Sequence, residues 1–187
     1  MSNGVSRVIY DATAKLLTGA DLCRRNGLSV PAQALGYMAV DTLAGLGMPE
    51  GQDDVNRAAF MQWVKKYLIP FGLENCDPID IYASRCGVVH GFTSEARLVR
   101  EQKATRIFFV WGAAIVETLQ NAIDLRPRLP AIALHVDTFL SAVTEGRSAF
   151  LAHLESDDAM RDLANARAAQ LFSELPHDPT KWEPGES

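Results

Sequence analysis

Ile79-Asp80-Ile81-Tyr82-Ala83-Ser84-Arg85-Cys86-Gly87-Val88-Val89-His90-Gly91 is an apolar stretch carrying an arginine and a histidine five positions apart. Asp77-Pro78 in front of it combines an N-cap with a first-turn proline, and Gly91 supplies a left-handed position at which a helix ends. The pattern predicts a helix with Arg85 and His90 near its C-terminal end. On an ideal helix their directions differ by about 140° and their Cα atoms lie about 7.5 Å apart along the axis. A long arginine side chain spans that offset, so the two residues can work on one phosphate. His90 also falls where the last-turn carbonyls favour a protonated imidazole.

Outward from this stretch, apolar residues recur at helical spacing between short turn signals, the pattern of antiparallel helices in a bundle. A first helix is predicted from about Val5 to Cys23, with Val8, Ile9, Ala12, Leu16 and Leu17 on one side and Asn26-Gly27 at its end. Ser29 and Pro31 open a second, with Leu35, Met38, Ala39, Leu43 and Leu46 as its stripe and Gly47 as its stop. A third runs from about Asp54, as cap, to Ile69, with Phe60, Trp63, Val64, Tyr67 and Leu68 facing inward. Beyond the Arg85 helix, Ala104 to Val110 is β-branched and aromatic enough to be a short strand, and the pattern leaves strand and helix open there. Helices are predicted again at about Gly112 to Asp124, Ala131 to Leu154 and Asp157 to Leu175. Pro176 to Ser187, with three prolines and little apolar content beyond Trp182, reads as a loose tail. The expected fold is therefore all-α: one domain over residues 1–175, a bundle of about six or seven helices, with room for one extended segment near Ile107–Val110.

A chain of 187 residues with 48% hydrophobic and 22% charged residues can bury one sizeable core, which excludes a disordered or collagen-like chain. The net charge of −5 argues against a nucleic-acid grip by the whole surface, since such binding comes from basic groups meeting phosphates. Residues 85–106 differ from the rest. Arg85, Arg97, Arg100, Lys103 and Arg106 stand against Glu95 and Glu101, a net +3, so the remainder of the chain carries −8. The run is either a patch that guides a polyanion to His90 or a solvated face. Cys23, Cys76 and Cys86 are too widely spaced for a metal site and read as reduced thiols. With no basic-then-apolar leader at Met1 and no apolar run near the roughly 20 residues that cross a bilayer, a cytoplasmic address and no membrane partner are expected. There is no Gly-rich phosphate loop, HExxH or GxSxG, and no cofactor or metal is expected.

Arg85-Cys86-Gly87-Val88-Val89-His90 is similar to the signature of the HEPN superfamily (higher eukaryotes and prokaryotes nucleotide-binding domains): an arginine, four to six intervening residues and a histidine on a late helix of an all-helical bundle. Leu35-Gly36-Tyr37-Met38-Ala39-Val40-Asp41-Thr42-Leu43 looks like the early helix of such bundles, and the resemblance covers about Val30 to Asp124. Many nucleases of the family have asparagine, aspartate or histidine after the arginine, where this chain has Cys86. The resemblance implies metal-independent RNA cleavage, in which the ribose 2′-hydroxyl attacks its own phosphate and leaves a cyclic phosphate. His90 would then be the acid–base group and Arg85 the phosphate clamp, chemistry that suits both side chains. It also implies a homodimer whose paired motifs build one cleft, with Tyr82, Phe92 and Phe108 as candidate contacts. The setting would be toxin–antitoxin or defence, with an antitoxin protein as partner; the alternative is a silent module that binds nucleotide, RNA or protein.

Around the pair, Arg97, Arg100, Lys103 and Arg106 are candidate RNA-binding residues. Asp41 either orients Arg85 or His90 across the bundle or is a surface carboxylate. Cys86, one turn before His90, is either half of a thiol–imidazole pair or a small buried hydrophobe. His135 and His153 read as isolated residues on amphipathic helices, and His177 belongs to the tail.

Overall fold

Between Ser29 and Leu46 the chain has one charged residue, Asp41, and such a segment is stable only when surrounded by other elements. The computed structural model, which describes residues 4–52, 55–91, 96–126 and 130–171, places it so. This helix, α2 (Ser29–Leu46), touches α1 (Arg7–Arg25), α3 (Arg57–Tyr67), α4 (Pro78–Gly91), α7 (Val136–Ser156) and α8 (Asp158–Leu171). Tyr37, Ala39, Val40, Leu43 and Leu46 are buried on different sides of it. Met38, expected in a single apolar stripe, is instead 46% exposed, because a helix with five neighbours has no single inward face.

The helix ends follow local chemistry. Gly27, at φ +73°, closes α1 with two Schellman bonds, Leu28 N–H to Cys23 C=O at 2.9 Å and Gly27 N–H to Arg24 C=O at 3.1 Å. The cap of α3 is Asn56, whose side chain accepts from Ala59 N–H at 2.9 Å; the expected cap, Asp54, lies outside the described residues. In α4, Asp80 reaches back to Asp77 N–H at 2.9 Å while its other oxygen accepts Thr105 N–H at 2.6 Å. One buried carboxylate thus caps the helix and ties the next segment to its first turn. Gly91, expected just past the end of α4, is its last helical residue.

The expected extended segment is β1 (Arg106–Val110), preceded by the short α5 (Arg97–Arg100). Its partner corrects the prediction of a helix from Ala131: residues 131–135 are β2 (Ala131–His135), parallel to β1 with Phe108 opposite Ala133. Parallel strands need a crossover, which α6 (Val116–Asp124) provides. Gln120 of α6 then behaves as a strand would, accepting Ala133 N–H at 2.8 Å and donating to Ala131 C=O at 3.3 Å. The outer edge of β2 is covered by one side-chain amide. The helix expected from Ala131 starts only at Val136, where the His135 ring accepts Asp137 N–H at 3.0 Å as its cap. The described part of the last helix ends at Leu171; residues 172–175 and the tail lie outside the described residues.

Among the described residues there are thus eight helices and one small sheet around a core running from Val5 to Ala168. The two ends of the described chain meet. Ser6 N–H donates to the Asn165 side chain at 2.8 Å, Asn165 donates back to Gly4 C=O at 3.1 Å, and Val5 N–H meets Glu155 at 3.3 Å. Arg167 of α8 donates to the Leu46 and Pro49 carbonyls at 3.4 and 2.6 Å and to that of Met48, groups that the end of α2 leaves without helical partners.

Three measurements test this packing. A Cβ on Gly146 of α7 would run into the backbone carbonyl of Tyr67 at the end of α3. Gly146→Ala should therefore cost about 2 kcal/mol or more in urea denaturation, although alanine is the better helix former. Cys76 is buried, and burial, with Asp80 and Asp77 nearby, pushes its thiol up to about 12. At pH 8 native protein should be alkylated at the half-buried Cys23 and Cys86 but not at Cys76, as mass mapping would show. Between the ordinary value of 9.0 and about 12 the folded state holds the Cys76 proton that the unfolded state releases, so stability should fall as pH rises through that window.

Candidate active site around Arg85 and His90

A guanidinium and a carboxylate on neighbouring helices, both otherwise among apolar residues, lower each other's cost of leaving water. Asp41 of α2 and Arg85 of α4 do this: Nε and Nη2 of Arg85 donate to Asp41 Oδ2 at 2.9 and 2.8 Å. Both side chains are about one-fifth exposed, so the pair sits near the surface of the bundle. Burial pulls the Arg85 pKa down, but the hydrogen bond and charge of Asp41 outweigh it and the net shift is upward, so the cation is secure at any working pH. Asp41, read from the sequence as an orienting residue or a surface carboxylate, is here paired with Arg85. A pair at this depth stabilises by roughly 1–2 kcal/mol.

Beneath the pair, Tyr37, one turn before Asp41, is fully buried beside Ser84, the residue before Arg85. His90 lies five residues beyond Arg85 in the last described turn of α4. Cys86 is half-buried, and Arg85 and Tyr82 are among its polar neighbours.

The basic run is divided. Leu98 and Val99 of α5 turn inward onto Ala83, in a small apolar cluster with Ile79, Tyr82 and Cys86, which sets α5 alongside α4. Arg97 and Lys103 both pair with Glu101, at 3.6 and 2.9 Å, and Lys103 first, then Arg97 and Arg100, hold that carboxyl below the usual range. Arg106 lies over the Phe108 ring, 5.4 Å from its centroid. Glu101, already subtracted in the +3, is thus gathered between two cations, and Arg97 and Lys103 remain well exposed. Glu95 and Phe92 lie outside the described residues.

His135 and His153 serve the packing of the fold. His135 is not on a helix: it ends β2, caps α7, and its Nε2–H donates to Gly112 C=O at 3.2 Å. His153 Nδ1 accepts from the Tyr67 hydroxyl and, at 3.1 Å, from Lys66, which ties α7 to α3. His177 lies outside the described residues.

One residue escaped sequence reasoning. Arg57, the first residue of α3, stands 5.9 Å from the centroid of the Tyr82 ring, whose other contact is the edge of Phe60 at 5.6 Å. No local signal marks it, because the contact is made between helices distant in sequence. Among the described residues no three or more His, Cys, Asp or Glu gather as a metal site, and no helix is long and apolar enough to cross a membrane.

Removing one member of the pair leaves the other half-buried and uncompensated. Asp41→Ala and Arg85→Ala should each cost about 1–2 kcal/mol in urea denaturation, and the double variant should lose less than the sum, a coupling read directly from a double-mutant cycle. Comparison of the chain with protein-family models, curated proteins and solved structures finds no match.

Proposed function

We propose that this protein is an HEPN-like, metal-independent endoribonuclease centred on Arg85 and His90. The observation that carries this reading is the Asp41–Arg85 pair. Two helices hold a half-buried guanidinium in a defined orientation on the same helix as His90, the pre-organisation that a phosphate clamp needs. In the reaction, the ribose 2′-oxygen attacks the adjacent phosphorus and the bond to the 5′-oxygen breaks, leaving a 2′,3′-cyclic phosphate and a 5′-hydroxyl. His90 moves a proton near neutral pH, and Arg85 offsets the charge that builds on the phosphate oxygens. Asp41 acts through Arg85 and is a positioning residue. Arg97, Arg100, Lys103 and Arg106 guide the polyanion toward α4. The same reading makes the protein a cytoplasmic toxin or defence component, acting as a homodimer and held in check by an antitoxin protein.

A second reading, a catalytically silent module binding nucleotide, RNA or a protein partner, is favoured by Cys86 standing where many family nucleases carry a polar residue.

Purified protein incubated with mixed RNA, with and without chelator, separates the two. The nuclease produces cyclic phosphate ends unaffected by chelator. Arg85→Ala and His90→Ala each reduce the rate by about 100-fold or more, with strongly non-additive losses in the double variant, and Asp41→Asn causes a smaller loss. RNA binding without cleavage across pH and salt establishes the silent module, and neither binding nor cleavage removes both readings that involve RNA.

A further inference from the structure

Tyr82 is the meeting point of two arginines. On α4, Arg85 is three residues after it, one turn along the same side. On α3, Arg57 is three residues before Phe60, and Phe60 packs its ring against Tyr82 at 5.6 Å while Arg57 lies 5.9 Å from the same ring. Arg57 thus stands over one half-buried tyrosine at the junction of α3 and α4, and Arg85 is one turn further along α4. Their charge is unbalanced. Asp41 answers Arg85, but Arg57 is exposed and meets no carboxylate within ion-pair distance among the described residues. The start of α3 adds a partial positive charge, since Asn56 satisfies only one of its first N–H groups. The Tyr82 hydroxyl registers both cations: burial, then Cys86, raises its pKa, and Arg85 and Arg57 oppose the rise.

We infer that Arg57 and the Tyr82 hydroxyl form a second phosphate subsite next to Arg85, so that the site holds two phosphates of one single-stranded RNA rather than a mononucleotide. The inference rests on the reading of Arg85 as a phosphate-binding residue. Arg57 supplies the charge, and the Tyr82 hydroxyl, which leans on the weak sulfur acceptor of Cys86, a donor that a phosphate oxygen draws away from it. The Tyr82 ring is not a base-stacking platform, because Phe60 and Arg57 already occupy it. A single strand fits because its phosphates are open to a small site built from side chains of two helices, whereas paired RNA is read across a wide minor groove.

The test is fluorescence anisotropy of the full chain with a labelled single-stranded RNA of mixed sequence, over a range of salt concentrations. Arg57→Ala should weaken binding about threefold to tenfold and lower the slope of log affinity against log salt by about 0.7, the loss of one phosphate contact. Arg57→Lys should recover most of the slope, and Tyr82→Phe, which keeps the ring against Phe60, should weaken binding at an unchanged slope. Arg7→Ala, on the far exposed start of α1, is the control that leaves affinity as it is. A merely structural role for Arg57 would lower the melting temperature and leave the salt slope alone, and that result overturns the subsite. RNA that binds or is cleaved equally well by wild type and Arg57→Ala overturns the subsite while leaving the nuclease reading standing. Arg57-dependent binding without cleavage supports the subsite and ends the nuclease reading. Wild type that binds no RNA removes both.

Discussion

A helix surrounded by five others can keep a charge only where a cation comes to it, and in α2 that charge is Asp41. Arg85 meets it at 2.8 Å, and this contact decides how α4 lies on α2. The pair has few alternatives: α4 has no other arginine or lysine, and α2 no other acid. Tyr37 and Ser84 pack just below it, so a slip of α4 by one turn would bury both charges unpaired and break the aromatic contacts as well. The geometry of the candidate site is in this sense a by-product of how the bundle chooses its register.

Much of the helical order is legible from the sequence because its signals are local. Gly27 after an amphipathic run, Asp77-Pro78 before an apolar one, and the alternation of Phe60, Trp63, Val64 and Tyr67 each act within a few residues. The same signals misjudge Ala131 to His135. Alanine, leucine and histidine suit a helix, and only pairing with β1, some 25 residues earlier, makes the segment a strand. Gln120, which closes the free edge of that strand, has no signature either, since glutamine on an exposed helix face is ordinary.

The site divides along the same line. Arg85 and His90 stand out because they share one helix, and their spacing is visible in a single string. Asp41 was legible only as one of two options, for nothing in the string says which side of α2 meets α4. Arg57 was not legible at all. It reaches Tyr82 through the pairing of Phe60 with Tyr82, and such inter-helix contacts are set by packing rather than by spacing. The net charge of the basic run is legible in the string, but its arrangement is not: Glu101 sits between Lys103 and Arg97 and draws both in.

The bonds between Gly4, Val5 and Ser6 at one end of the chain and Glu155 and Asn165 near the other join residues about 150 to 160 positions apart. During synthesis, the start of α1 has no partner for these groups until α7 and α8 have left the ribosome. Arg167, which secures the end of α2, arrives equally late. A growing chain therefore pairs Asp41 with Arg85 well before its core can close, and carries the flank of α2 that α7 and α8 will cover exposed to water and to other chains. Proteins of this shape are most vulnerable to aggregation while being made, and a chaperone would engage the surface that the last two helices eventually hide.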